Sequence, residues 1–442
     1  MKIQISDSFT YKRLLIFTLP SIFMMIFTSI YTTVDGFFIS NFVGDIPFAA
    51  VNFIFPFLML FVSIGFMLGS GGSALIAKTL GEGDSEKANR LFSLFVYVLI
   101  LIGVVLSIVG IIFIRPIAIF LGASDLLIND AVTYGRILLS ALPFWMLQFA
   151  FQTFFVTAGK PNLGFISTVC SGVTNMVLDA LLVAVLNLGV VGAGVATAIS
   201  QVVGGVFPLI YFSRRNDSLL KLTKTNLDFK ALGQASYNGV SEFLSSIASS
   251  VAGMLYNAQL MRYAGENGVS AYGTIMYVSM LFFAVFIGFS MGTAPIVSYN
   301  YGAKNQNELK SIRKKSLVII SIASIFTFIA SILLARPLAT LFVGYNQTLS
   351  DLTVRAFNFY SFTFLFAGLA IYGSSFFTAL NNGFVSALIS FLRVAVFQVL
   401  SVLILPLIFK TDGIWVSCVV GEFFAFVISI LCLILNKKRY GY

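Results

Sequence analysis

Long apolar runs joined by short polar connections fill almost the whole chain. They fall at about residues 13–40, 49–77, 91–114, 131–156, 163–186, 193–213, 235–261, 271–299, 317–335, 353–380, 384–409 and 414–436. A helix needs about 20 apolar residues to cross the hydrocarbon core of a bilayer, and each run is near or above that length. The short alternating segments of a membrane β-barrel are missing from the pattern. It therefore predicts an all-α polytopic membrane protein with twelve transmembrane helices. The first run is long, contains Pro20 and ends at Asp35 rather than at a small-residue cleavage site, so it reads as a span and not as a cleavable leader.

The pattern repeats. A shift of 221 residues superposes Arg115-Pro116 on Arg336-Pro337, Thr157-Ala158 on Thr378-Ala379, and Gly192 on Gly413. Near the second and eighth runs the shift is 223, where Ile64-Gly65-Phe66 meets Ile287-Gly288-Phe289. The polar stretch from Ser213 to Lys230 lies close to the midpoint of the chain. We expect a six-helix bundle over 1–213, a cytoplasmic linker over 214–230 and a second six-helix bundle over 231–442. Each half has an even number of spans, so both insert the same way up. A pseudo-twofold axis along the membrane normal then places a transport path between them.

Charge sets the orientation. Of 27 Lys and Arg, 20 fall in the terminal segments and the connections on one side, from Lys2, Lys12 and Arg13 through Arg214 and Arg215 to Lys437, Lys438 and Arg439. The positive-inside rule makes that side, with both termini, cytoplasmic, and the chain is expected as a multi-pass protein of the plasma (inner) membrane. The net charge of +10 is absorbed by this bias and calls for no nucleic-acid partner. With 58% hydrophobic and 10% charged residues, against about 25% charged in soluble domains, the natural partner is membrane lipid.

Carboxylates inside the apolar runs carry the chemistry. An Asp at the centre of a membrane helix costs roughly 2.5–3.5 kcal/mol on insertion scales, so each is a functional candidate. Asp35 closes the first run. Asn175 and Asp179, four residues apart, share one face of the fifth, and Thr197 on the sixth has the same spacing to Gln201. These groups can meet inside the first bundle, where two carboxyls in a low dielectric would share a single proton. Their repeat partners are Tyr256 for Asp35, Val396 for Asn175 and Leu400 for Asp179, which favours a specialised chemistry in each half. Glu242, Arg393 and Glu422 form a possible second polar site, with Arg393 and Glu422 expected to neutralise each other as a buried pair. Tyr31, Phe149, Gln152 and Tyr256 are candidates to line a substrate path, the aromatics by stacking on flat cations. The chain has no His, so a proton relay must run through carboxylates. No metal-ligand spacing, disulfide framework or nucleotide-binding motif is visible, and no enzyme activity or cofactor is expected. Gly65, Gly69 and Ser73 recur every four residues and read as a helix-packing face.

VDGFFISNFVG at 34–44, LGEGD at 80–84, NMVLDALL at 175–182, GAGVATAIS at 192–200 and MGTAPIVSYNYGAKN at 291–305 resemble, in order and over essentially the whole chain, the multidrug and toxic compound extrusion (MATE) family, bacterial efflux branch. The resemblance implies a V-shaped pair of six-helix bundles and alternating access. It also implies export of small-molecule organic cations in exchange for H+ or Na+, performed by a single chain. The family's cation site maps onto Asp35, Asn175 and Asp179, with Thr197 alongside. Glu242 matches an acidic residue on the seventh helix of some sodium-coupled members, but the tenth run contains no carboxylate to face it, which favours protons or a first-bundle site alone. A flippase for a lipid-linked saccharide or other amphiphile is the rival reading. It would need a cationic cavity, for which Arg393 and Arg136 are the only candidates.

Overall fold

The computed structural model describes residues 3–344 and 346–442; Lys2 of the charge argument lies outside them. Helices follow the apolar runs: α1 Tyr11–Phe38, α2 Asp45–Gly81, α3 Ser85–Phe120, α4 Ile128–Ser140, α5 Leu142–Thr157, α6 Pro161–Leu178, α7 Gly189–Ser213, α8 Phe229–Gly302, α9 Gln306–Val343, α10 Gln347–Ser361, α11 Thr363–Ala379, α12 Gly383–Phe391, α13 Val399–Leu435 and α14 Lys437–Tyr440. No strand occurs among the described residues. Polar residues just ahead of the runs start the helices. Thr10, Asp84, Asp228, Asn305, Asn346 and Asn382 each accept a hydrogen bond from a backbone N–H three residues on, which satisfies one of the donors a helix leaves open at its start.

Among the described residues, eight helical stretches are long and apolar enough to cross a membrane, or ten if the bent pairs α4–α5 (61°) and α10–α11 (45°) are each one span. The 74 residues of α8 would reach roughly 110 Å as a straight rod, far beyond a ~30 Å hydrocarbon core. It is broken at Gly265, φ 63°, a conformation that glycine adopts without strain. α13 is broken likewise at Lys410, φ 52°. The two breaks lie together, because Thr411 Oγ1 donates to the Tyr263 carbonyl at 3.3 Å. Length and apolarity alone thus count eight to ten spans; the twelve of the hydropathy pattern require α8 and α13 each to supply two limbs.

The internal repeat is visible in the backbone. Left-handed residues recur 221 positions apart at Gly44 and Gly265, Gly83 and Lys304, and Gly189 and Lys410. The bends at Ala141 and Phe362, between the paired helices, keep the same offset.

α2 stands between the halves. One face carries Gly65, Gly69 and Ser73 against α5: a Cβ on Gly65 would lie 2.6 Å from the Met146 carbonyl oxygen, and Ser73 Oγ meets Thr157 Oγ1 at 2.5 Å. The sequence reading of this face as packing holds. The opposite face meets α8 with no side chain between. A Cβ on Gly71 would lie 2.0 Å from the Ala235 carbonyl oxygen, and one on Gly81 2.0 Å from that of Tyr299. α1 joins the same contact, with Gly292 against Thr18 and Gly288 against Ser21 and Ile22. These contacts close the end of the molecule that carries both termini, where Phe9 bonds Glu308 and Tyr442 lies under Arg313. Further along α8, Gly253 and Gly273 have nothing within 4 Å of a built Cβ.

The connection between the halves is held down along its length. Asn89 Oδ1 accepts from Lys221 N and Ser93 Oγ from Thr223 N, both at 2.8 Å. Leu220 is fully buried, and Lys160 pairs with Asp217 at 2.6 Å.

Candidate functional site: a carboxyl pair at two helix irregularities

Three helices converge on Asp35. It sits in the last turn of α1, just before a π-helical turn at Ile39–Val43 that opens with the Ile39 N–H reaching back to the carbonyls of Asp35 and Gly36. Asp179 opens the corresponding turn of the fifth run, a π-helical segment over Asp179–Val185. Such wide turns occur where a backbone has been re-aimed, often at functional sites. Asp179 therefore projects from a π-helical turn, and Asp35 from the α-helical turn just before one.

The four residues singled out for cation coupling meet. Thr197 Oγ1 donates to Asp35 Oδ1 at 3.3 Å, and Asn175 Nδ2 donates to Thr197 Oγ1 at 3.4 Å. The Asp179 carboxyl lies within hydrogen-bonding reach of the Asp35 carboxyl. Asp179 is fully buried, and neither of its oxygens faces a donor among the described residues. Two carboxyls that meet without a donor between them repel unless a proton or a cation is shared.

Residues that sequence reasoning missed complete the wall. Tyr134, 1% exposed, brings its hydroxyl within reach of Thr197 and lies beside both carboxyls. The Tyr277 hydroxyl approaches Gly36 from α8, 3.5 Å from where a Cβ would stand, and so touches the site from the other half. Neither carries a local signal, since each tyrosine sits in an ordinary apolar run.

Tyr31 packs over Gly172 and reaches Gln148, whose amide donates to Ser171 Oγ at 3.0 Å. Phe149 lies against Phe66 with ring centroids 4.6 Å apart. Gln152 is 3% exposed with both amide atoms unpartnered among the described residues. Tyr31, Phe149 and Gln152 thus belong to the first half, and Tyr31 lies beside Asp35. Tyr256 is elsewhere. It is 2% exposed in the second half, stacks on Tyr272 at 5.4 Å and accepts from Ser417 Oγ at 2.9 Å.

The second polar group is an ion pair. Arg393 Nε donates to both Glu422 oxygens, at 2.8 and 2.9 Å, and Gln398 Nε2 adds a third bond at 3.0 Å. Glu422 is fully buried, and a third π-helical turn, Leu392–Gln398, brings Arg393 and Gln398 to it. Glu242 is half-buried near Arg393 without joining the pair. Arg393 is thus neutralised, and Arg136 is exposed. The two arginines do not combine into a cationic cavity.

This architecture and site have relatives. The family model MatE matches residues 20–181 and again 243–404, one match in each repeat. A multidrug export protein, MepA, of Staphylococcus haemolyticus is 30% identical over 329 residues, which are 74% of this chain and 72% of that protein. MepA of Staphylococcus aureus is 24% identical over 97% of this chain and 94% of its own length. The solved outward-facing structure of a multidrug resistance MATE transporter superposes with a TM-score of 0.92, at 22% identity, covering 99% of this chain and 98% of that one. The fold defines a helical, multi-pass membrane transporter, and the chain belongs to the MATE family.

Proposed function

We propose that this protein is a secondary active antiporter that exports lipophilic organic cations from the cell in exchange for protons. The observation that carries the reading is the meeting of Asp35 and Asp179, with Thr197 bonded to Asp35 and Asn175 bonded to Thr197 beside them. An inward-moving proton, or a sodium ion, relieves the repulsion of the pair and at the same time removes the negative charge that holds an organic cation nearby. Ion entry and cation release therefore compete for one site, which is the thermodynamic requirement for exchange. The multidrug export assigned by name to the staphylococcal relatives supports this substrate class. We place both termini in the cytoplasm by the positive-inside bias, read the chain as twelve spans in an inner membrane, and take one chain as the working unit because both repeats reside in it.

Everted membrane vesicles from cells expressing the chain test this. Respiration sets up an inward proton gradient, and ethidium is added with or without sodium. Dissipation without sodium establishes proton exchange, and dissipation only with sodium replaces the proton by sodium. Asp35→Asn and Asp179→Asn are each expected to lower coupled export at least tenfold at unchanged protein level. Full-rate export by Asp35→Asn refutes the coupling role. No response to any cation tried favours flipping of an amphiphile.

A further inference from the structure

We propose that the segment Ile5–Thr10 is a clasp between the two halves, which holds the termini-bearing end closed and must release for that end to open. The proposal rests on the alternating-access reading above and adds a device to it. The segment leads into α1, in the first half, yet its partners lie on α9, in the second. Glu308 Oε1 accepts from Phe9 N at 2.8 Å, and Lys315 Nζ donates to the Phe9 carbonyl. One peptide unit on each side of Phe9 is thus gripped by a charged side chain, the stronger class of hydrogen bond.

Both grips are built. Asn305 caps α9 by accepting from Glu308 N at 3.1 Å. In a capping box the Glu three residues after the cap turns back to the cap's own N–H; here the Glu308 carboxylate goes to Phe9 instead. Lys315 is steadied by Ser311 Oγ at 2.6 Å. The gripped segment is itself stiffened, since Arg13 bonds Asp7 at 2.9 Å and the Ser8 carbonyl at 3.1 Å. Ile5 is fully buried and Phe9 1% exposed, with the Phe9 ring edge-on to Phe17 at 5.8 Å. This anchoring is more than a solvated leader segment needs.

The clasp has a mechanical consequence. It acts at the end where α2 meets the α8 backbone at Gly81 and α1 packs Thr18 against Gly292. Parting the halves there pulls Phe9 from Glu308 and Lys315 together, so the closed state carries an added threshold that the transported ion or cation must overcome.

Pulsed electron spin resonance in liposomes measures this directly. Spin labels go on Glu86→Cys and Lys310→Cys, both exposed and on opposite halves, with Cys170, Cys418 and Cys432 replaced by Ala. Glu308→Ala combined with Lys315→Met is expected to raise the ratio of long to short distances at least tenfold. Glu308→Gln keeps an acceptor for Phe9 N and is expected to leave the ratio near that of the parent. An unchanged ratio in the double variant overturns the clasp. If the double variant is not monodisperse, each single variant is measured, with about a threefold rise expected; no rise in either overturns the proposal equally. The distances need no substrate, so a failure of ethidium export in the parent would refute the antiporter reading and leave this result standing by itself.

Discussion

Gly71→Ala places one methyl group in the contact between the halves. The built Cβ stands 2.0 Å from the Ala235 carbonyl oxygen and 2.6 Å from Gly239 N. Neither atom belongs to a side chain that can swing away. Ordinary contact is about 3.5 Å, so α2 and α8 must part by roughly 1.5 Å along that line, or the helices must bend. Overpacking of this kind costs about 1–3 kcal/mol. Under the proposed alternating access, the strain falls only on the state closed at the termini-bearing end and is relieved when that end opens. The closed-to-open ratio should therefore fall by about 5–150-fold. Gly253→Ala and Gly273→Ala are the controls. They lie on the same α8 with nothing within 4 Å of the new methyl, and replacing glycine within a helix gains roughly 0.5–1 kcal/mol. The assay is the Glu86–Lys310 distance distribution, read beside thermal unfolding in detergent. The reasoning is refuted if Gly71→Ala gives the same distribution as Gly253→Ala, since the halves would then tolerate a side chain where the backbone leaves no room.

Arg393→Leu strands the fully buried Glu422 without its cation and should destabilise the protein by about 3–5 kcal/mol, while Arg393→Leu with Glu422→Leu recovers most of that loss; detergent melting curves of both variants check it, and a double variant no better than the single shows that the pair is not an energetic unit. Asn89→Ala with Ser93→Ala removes the side chains that hold Lys221 and Thr223, at about 1 kcal/mol for each lost hydrogen bond. Trypsin should then cut near Lys221 and Lys224 faster in inside-out vesicles and not at all in intact cells, and the reverse sidedness would overturn the cytoplasmic placement of the linker.

What was legible in the sequence was whatever leaves a local trace. Helix spans follow apolar length, and their starts follow the capping Thr, Asp and Asn residues. The meeting of Asp35, Asn175, Asp179 and Thr197 was readable because i, i+4 spacing fixes a helix face and an intramembrane carboxylate demands a partner. Arg393 and Glu422 paired for the same reason. What stayed hidden depends on contacts between distant segments. Tyr134 reaches Thr197 from a run with no unusual composition. The linker was legible as a polar connection, but not that its Lys221 and Thr223 amides are held by Asn89 and Ser93. Tyr256 looked like a cleft aromatic because its run is apolar, while its hydroxyl is held by Ser417 on a helix 161 residues away. The π-helical turns after Asp35 and at Asp179 flank the very carboxyls the sequence singled out, and no residue pattern announced them.

The asymmetry of the two halves bears on how force crosses the molecule. The facing carboxyls lie in the first half, and the buried charge of the second is already neutralised by Arg393. Under the antiport proposed above, an ion that enters at Asp35 acts on the first half and must move the second through contact. The contacts available are α1 and α2 against α8, made largely by backbone at Gly71, Gly81, Gly288 and Gly292. Backbone packed this closely deforms little under small forces, so it tends to switch between arrangements rather than yield gradually. α1 is the element common to every step. It carries Asp35 near one end, meets α8 at Thr18 and Ser21 beside Pro20, and is tethered ahead of its first turn to Glu308 and Lys315. In the proposed antiport a change of charge at Asp35 thus reaches the closure at the termini-bearing end along one helix, and a variant that uncouples the ends of α1 should leave ion binding intact while abolishing exchange.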